Sequence, residues 1–402
     1  MIAQKKKAII ILMQIETIIA FFFWAIIYLL IHSYLIYPLT LVLISLLKKG
    51  LKTHTSTSSP TVSILISAYN EDQVIEERIE NIRSLEYDFS KIELLVGSDC
   101  SSDSTDKILN ELKNKYGWLK VKSFPTRRGK ASVLNDLASE AQYDILVFTD
   151  ANTKFEANAL AKVVEGFSNE KIGGVCGRLI LEEPLDGFNQ INREKLYWKY
   201  ETFLKKFEGM LGILIGANGG IFAVRKNLFK KFPLNEAVTD DLYQTLAVHS
   251  QDFKFSYSYD AVAYEEVSKE LKTEFKRKVR FAATNFQTLK NFKSLLFNKN
   301  MLLSYAFWSH KVLRWLVPVM LILLFVTNIF LISFSQIYLV IFIIQLIFYS
   351  LSVLGFLFSI IRINLPVVGV IYYYVVTNIA LLIGLLKFLF KRHSYIWEST
   401  PR

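Results

Sequence analysis

The stretch Asp144-Ile-Leu-Val-Phe-Thr-Asp-Ala-Asn-Thr153 sets the fold expected of this chain. Ile145 to Phe148 run apolar without interruption and end in a carboxylate, Asp150, with an amide two residues on, Asn152. A short apolar run of this kind suits a strand buried on both faces of a parallel sheet. Ligands of such sheets bind beyond the carboxyl ends of the strands. Asp150 and Asn152 therefore stand where oxygen ligands could hold a hard cation, Mg²⁺ or Mn²⁺. On this stretch alone, a strand followed by a plain polar turn reads equally well.

Working outward, strand and helix patterns alternate. Strands are expected at Thr61–Ser67, Lys91–Ser98, Leu119–Phe124, Asp144–Thr149 and Gly173–Leu181. Helical patterns lie near Gln73–Ser84, Ser104–Lys115, Lys130–Ala141 and Ala157–Phe167. This alternation implies an α/β domain with a mostly parallel sheet covered by helices on both faces. A polar linker at 53–60 opens it, and it runs over residues 53–295, long enough to bury a full core.

The 402 residues are 52% hydrophobic and 21% charged, with mean hydropathy +0.30. That is too apolar for an ordinary soluble protein and too charged for a pure bundle of spans. Residues 1–52 hold Lys5–Lys7 and a tract without acidic, Lys or Arg residues from Thr17 to Leu47, longer than the roughly 20 residues a span needs. It reads as one tilted span or as two short ones turning near His32–Pro38. Residues 296–402 hold a candidate interfacial helix, Leu302–Trp315, and three span-length runs: Val312–Phe334, Ile337–Ile361 and Leu365–Leu389. Arg362 and Asn364 mark a turn. Lys48, Lys49 and Lys52 argue for a cytoplasmic middle domain at the inner membrane, whereas Lys5–Lys7 argue against a single N-terminal crossing. The net charge of +11 suits anionic lipid and phosphate ligands. No nucleic-acid motif occurs and the basic residues are scattered, so no nucleic-acid partner is expected. Cys100 and Cys176 form neither a CxxC nor a disulfide framework.

The polar groups that could do chemistry fall at strand ends. Ala68-Tyr-Asn-Glu71 follows the first strand. Asp99 follows the second and could accept from a base N–H. Asp103 reads as a cap of the next helix. In Pro125-Thr-Arg-Arg-Gly-Lys130, a permissive Gly129, Lys130 and Arg127 or Arg128 precede a helix N-terminus, which suits a diphosphate. A solvated basic turn is the plainer alternative, and the spacing is not that of a P-loop. Gly216-Ala-Asn-Gly-Gly220 is expected to follow an apolar strand and precede another, Ile221–Val224, and leaves room for an acceptor or makes a bulge or tight turn. Asp240 and Asp241 open a helix whose dipole would favour ionised carboxylates. Leu196, Tyr200, Phe203, Leu204, Phe207 and Leu211 recur at helical spacing, with Lys205 and Lys206 mostly elsewhere, as in an interfacial or a core helix. His310 reads as an interfacial residue rather than a ligand.

Taken in order, these motifs and Arg277-Lys-Val-Arg-Phe281 resemble the membrane-embedded family 2 glycosyltransferases, which include cellulose, hyaluronan and poly-N-acetylglucosamine synthases. The motif resemblance covers residue 61 to about 290, and the layout resembles theirs at both ends. It implies a GT-A fold flanked by transmembrane helices, and inverting transfer from a nucleotide sugar, most simply a UDP-sugar. By that likeness Ala68, Tyr69, Glu71, Asp99, Arg128, Lys130 and Asp150 would bind the nucleotide sugar. Asp150 with Asn152 would bind Mg²⁺ or Mn²⁺. Asp241 would be the general base, paired with Asp240. Gly216, Asn218, Gly219, Asp240, Arg277, Arg280 and Phe281 would face the acceptor. Asn152 stands where the family has a second Asp, Asp240 where it has Glu, and Arg277 and Phe281 where it has Gln and Trp. The product would be a growing polysaccharide. The alternative is one sugar placed on a lipid-linked acceptor, and a more distant one is a nucleotide-sugar-sensing membrane scaffold or transporter.

Overall fold

The computed structural model describes residues 2–47, 59–182, 191–266, 271–361, 363 and 365–392. Lys48, Lys49, Lys52, most of the 53–60 linker, Arg362 and Asn364 lie outside them, as do the side chains of Lys5, Lys6 and Leu196.

Eight strands form one sheet: β1 Val62–Ala68, β2 Ile92–Ser98, β3 Leu119–Ser123, β4 Ile145–Phe148, β5 Thr153–Phe155, β6 Ile172–Glu182, β7 Phe222–Arg225 and β8 Lys254–Glu266. Their order is β3-β2-β1-β4-β7-β6-β8-β5. The half β3-β2-β1-β4 is all parallel. The other half mixes a parallel β6–β8 pair with antiparallel β4–β7, β6–β7 and β5–β8 pairs. The sequence pattern located β1 to β4 and β6 within a residue or two. It missed β5, which is three residues long, and β8, whose apolar–polar alternation over Phe255–Asp260 gives way to the unbroken run Ala261–Tyr264.

The apolar run at 145–148 behaves as buried strand residues must. Side chains alternate between faces, so Ile145 and Val147 join a core with Ile64, Ile66, Leu94 and Val96. Leu146 and Phe148 join a second core on the opposite face with Leu65, Leu95, Phe222 and Val224. The Phe148 and Phe222 rings stack at 4.8 Å across the β4–β7 seam. Truncating Phe148 to Ala would cost about 3–5 kcal/mol. Parallel register pairs Ala68 with Ser98 and Leu65 with Phe148. The loops after β1, β2 and β4 consequently emerge along one edge.

Among the described residues thirteen α-helices accompany the sheet: α1 Ile2–Ile31, α2 Tyr37–Leu47, α3 Ile75–Arg83, α4 Thr105–Lys115, α5 Lys130–Glu140, α6 Ala159–Glu165, α7 Ile191–Leu211, α8 Asp240–His249, α9 Leu271–Asn291, α10 Met301–Ala306, α11 Leu313–Leu331, α12 Gln336–Ile360 and α13 Pro366–Leu389. Asp103 lies one residue before Ser104, the N-cap of α4, and its carboxylate accepts from Thr105 N at 3.0 Å. A π-helical turn, His32–Ile36, joins α1 to α2 without a break, and another, Phe307–Val312, joins α10 to α11. The N-terminal tract is thus one continuous helix, and the two-span alternative does not hold. Ile10–Leu47, Met301–Leu331, Gln336–Ile360 and Pro366–Leu389 are each long and apolar enough to cross a membrane. Phe23 and Ile26 of α1 pack on Met320 and Leu324 of α11 and on Tyr338 of α12.

A close helix contact helps tie this helical layer to the sheet domain. A Cβ at Gly384 of α13 would lie 2.3 Å from Ala282 Cβ and 2.7 Å from Val279 O of α9. Only glycine lets the two helices approach so closely. The helix α9 carries Arg277, Arg280 and Phe281, so α13 sets their position.

Candidate active site

A cavity of about 890 Å³ lies between the strand-end loops and helices α7, α9, α11 and α13. That is within the size range of small-molecule sites. Tyr69, Glu71, Asp99, Lys130, Asp150, Asn152, Gly216, Asn218, Gly219, Asp240, Asp241, Arg277, Arg280 and Phe281 all line it.

At the β2 end, Asp99 is buried. Its two carboxylate oxygens accept from the backbone N–H of Arg128 and of Gly129, both at 2.7 Å. Gly129 holds φ +84°, a left-handed value that favours glycine. Asp99 thus pins the basic turn to the sheet edge and starts α5 at Lys130. Two expectations are corrected here. Arg128 does not line the cavity: it pairs with Asp136 at 2.7 Å, and its guanidinium lies over the Phe124 ring. Its neighbour Arg127 lines the cavity instead, 3.6 Å from the Tyr69 ring centre. Adjacent residues leave a turn in different directions, and sequence offered no way to choose between them. Ala68 also does not line the cavity. Its side chain is buried under the sheet edge, and its carbonyl accepts from Asp99 N at 2.9 Å.

At the centre, Lys130 Nζ lies 2.7 Å from Asp150 Oδ1 and 2.6 Å from Asp240 Oδ2. Burial alone would lower its pKa, but these carboxylates outweigh burial and hold it above the ordinary lysine value. Asp240 is also buried, which pushes its pKa up, yet Lys130 more than offsets this and keeps it below the usual range. Asp241 behaves differently. Burial, then repulsion from Asp240, raises its pKa to about 6 despite Lys205 and the Leu242 N–H. The expectation that the start of α8 keeps Asp241 readily ionised is therefore corrected: one helix terminus is outweighed by burial plus a like charge. A Cβ at Gly219 would lie 3.6 Å from Asp241 Oδ2 and 3.7 Å from Asp150 Oδ2. The two carboxylates face each other across this small residue.

The Gly216–Gly220 loop follows an isolated bridge at Ile213, paired with Phe255, and not the apolar strand expected. It runs on into β7 at Phe222. Asn218 is buried: its amide donates to Gly177 O at 2.7 Å, its Oδ1 accepts from Lys205, and its N–H donates to Cys176 Sγ. Both cysteines are free. Across the cavity, Glu274 pairs with Arg277 at 2.7 Å and Lys278 at 3.2 Å. Burial, then Arg277, lowers the pKa of Arg280 to about 10.

The structure also places residues that sequence reading passed over. Arg78 is buried on the inner face of α3, donates to Thr149 Oγ1 at 2.9 Å, and lies over the Phe155 ring. An arginine inside the Ile75–Ile79–Ile82 stripe was the signal. On α7, Glu201, Lys205 and Glu208 turn inward and are buried, while Tyr197, Phe203 and Met210 are exposed. This reverses the expected sidedness of Lys205. His310 is fully buried between Glu201 and Glu208 and is not interfacial.

Among the described residues, no group of three or more His, Cys, Asp or Glu side chains is placed to hold a metal alone. Asp150 and Asn152 both line the cavity and carry oxygens of the kind that could share a divalent ion with a diphosphate. Lys130 already shows that cationic charge is favoured beside Asp150 and Asp240.

Comparison with known proteins matches this arrangement. Residues 63–232 match the model of glycosyl transferase family 2. A probable glycosyltransferase, YdaM of Bacillus subtilis, is 27% identical over 248 residues, 59% of this chain and 58% of that protein. Poly-beta-1,6-N-acetyl-D-glucosamine synthase of Staphylococcus epidermidis is 26% identical over 236 residues, 57% of this chain and 55% of the synthase. The match therefore spans little more than half the length of these relatives. The mannosyltransferase PcManGT of Pyrobaculum calidifontis, solved with GDP-Man and Mn²⁺, superposes with TM-score 0.69 at 19% identity, covering 92% of this chain and all of that one. The likeness establishes a GT-A-like fold with flanking apolar helices. The sheet, the strand-end carboxylates and the matched model agree that residues 63–232 of this chain are a glycosyl transferase family 2 domain.

Proposed function

We propose that this membrane protein is an inverting glycosyltransferase that moves a sugar from a nucleotide sugar, UDP-linked in the simplest case, onto a growing polysaccharide. The carrying observation is the pair Asp150 and Asp241 facing each other across Gly219, with Lys130 beside them in one cavity. Inversion needs one base to take the acceptor hydroxyl proton during attack. Asp241, with its pKa near 6, is ionised at neutral pH and basic enough for this role. The bond from the anomeric carbon to the diphosphate breaks as the acceptor oxygen attacks. Lys130 and Arg127 supply positive charge for the departing diphosphate. A divalent ion, when bound at Asp150 and Asn152, would add Lewis-acid stabilisation of the same group. Tyr69 and Arg127 offer a stacking surface for the base, and Asp99 holds the turn that presents Arg127. Arg280 and Phe281 face the acceptor side.

The cavity also reaches Val370, Tyr373, Tyr374 and Leu381 of α13, a helix long enough to cross a membrane. That reach is what supports polymer passage along the helices. It equally fits the second reading, one sugar placed on a lipid-linked acceptor, and product length separates them. The test incubates purified protein with Mn²⁺ and a panel of UDP- and GDP-sugars, and measures nucleotide release beside Asp241→Asn. Release with one donor, lost in the variant, supports the proposal. No release with any donor, acceptor supplied, removes it.

A further inference from the structure

Beneath the Gly216–Gly220 loop lies a buried charged cluster that the chemistry above does not use. Its core is one stripe of α7, Glu201, Lys205 and Glu208, at spacings that place the three on one helix face. Glu208 Oε1 accepts from Tyr37, at the junction of the first π turn and α2, and from His310 Nδ1 at 2.6 Å, in the second π turn. Glu208 Oε2 accepts from Ile215 N at 3.2 Å, one residue before Gly216. His310 Nε2 lies 3.1 Å from Glu201 Oε2 and 3.2 Å from Lys311 Nζ, and Glu201 also pairs with Arg314. The two π turns meet directly, His32 Nε2 lying 2.9 Å from Ser309 Oγ. Single π turns in α-helices concentrate at functional sites because they re-aim side chains out of the helical register. Here both turns aim polar side chains from span-length helices at a single carboxylate.

We propose that His310 is a positioning residue for glycosyl transfer: through Glu208 it fixes the backbone at Ile215 and so sets the Gly216–Gly220 loop against Asp241. The proposal rests on the glycosyltransferase reading for its kinetic part only. Lys205 holds the far side of the same loop, donating to Ala217 O at 3.1 Å. The loop is therefore clamped at residues 215 and 217 by α7, and α7 is in turn clamped to α2 and the second π turn. The donor end, built on Asp99, Lys130 and Asp150, shares none of these bonds. Loss of the clamp should misplace the acceptor and leave the donor where it is. A displacement of about 1 Å at the reacting centre can cost about a hundredfold in rate.

The test uses the full-length protein in detergent and compares His310→Gln, Glu208→Gln, Tyr37→Phe and the double variant His310→Gln/Glu208→Gln. Transfer to acceptor, nucleotide release to water and the donor KM are measured together. In parallel, hydrogen exchange is followed by mass spectrometry across residues 213–220. The expected result is faster exchange in that segment for His310→Gln, with transfer down about ten- to a hundredfold while donor KM and hydrolytic release stay close to wild type. The double variant should lose no more than the worse single variant, because both act through one bond. Unchanged exchange at 213–220 overturns the proposal whatever the assays give. So do parallel losses of release and transfer, or losses in the double variant that simply add. If wild type releases no nucleotide with any donor, the glycosyltransferase reading fails, while the exchange result still decides whether His310 fixes the loop. Tyr37→Phe removes a single hydroxyl, so it tests the clamp even if His310→Gln fails to fold.

Discussion

The two ends of the cavity are built in different ways. The end proposed for the donor comes from short contiguous motifs at the ends of β1, β2 and β4, which parallel register lines up along one edge. The end proposed for the acceptor is assembled from α7, α8, α9, the π turn before α11, and α13, which lie far apart in the chain. A sheet edge specifies its own loops, because hydrogen-bond register fixes where each strand stops. A helical wall depends on side chains of distant segments meeting in space. The donor end should therefore tolerate change in the helical layer, and substitutions there should separate transfer from donor use.

The largest expected effect lies where the two ends meet. Asp241→Asn should lower kcat about 10²–10⁴-fold, the usual worth of a general base, with nucleotide binding by calorimetry little changed. Retained turnover would take Asp241 out of the base role and erase the boundary between the two ends. Lys130→Met should cost about 10²–10³-fold, as loss of a preorganised charge at a leaving group does, and should lower release and transfer alike. Chelation by EDTA should abolish both and Mn²⁺ restore them. Activity that survives chelation would mean that Lys130 suffices as the cation beside Asp150.

A pH profile tests Asp241 more gently. Its pKa is raised to about 6 by burial and by Asp240, so the proton is held more tightly than on an ordinary aspartate. The base is lost as pH falls through about 6, and kcat/KM should drop about tenfold per unit below it. A profile that stays flat down to pH 4.5 would assign the base elsewhere. The smallest effect separates neighbours. Arg127→Ala should raise donor KM by up to about thirtyfold, the range of a stacking or cation–π contact. Arg128→Ala should leave KM alone and cost at most about 1 kcal/mol, since its pair with Asp136 is partly exposed. Thermal unfolding checks the second value.

Some of this was legible because it is written in short-range patterns. The run Ile145–Phe148 is apolar on every residue, and only a strand covered on both faces accommodates that. Asp103 meets the start of α4 by accepting from Thr105 N, although Ser104 holds the N-cap position. Lys130, Asp150, Asp240 and Asp241 were all named from sequence, and all line one cavity. Arg127 rather than Arg128 lines the cavity, because turn geometry decides which of two adjacent side chains enters it. The strand β8, paired with β6 on one side and β5 on the other, escaped because its alternation over Phe255–Asp260 runs into the apolar stretch Ala261–Tyr264, so no single period covers it.

The sequence by itself determined the strand–helix alternation, the span-length apolar helices and the carboxylates at strand ends, because each depends on neighbours within a few residues. Only the tertiary structure decided that Glu201, Lys205 and Glu208 face inward, that His310 is buried between carboxylates, and that α13 seats α9 through Gly384. Those facts depend on which desolvated charges find partners across the fold. Partners separated by about a hundred residues, as Glu208 and His310 are, leave no periodicity to read.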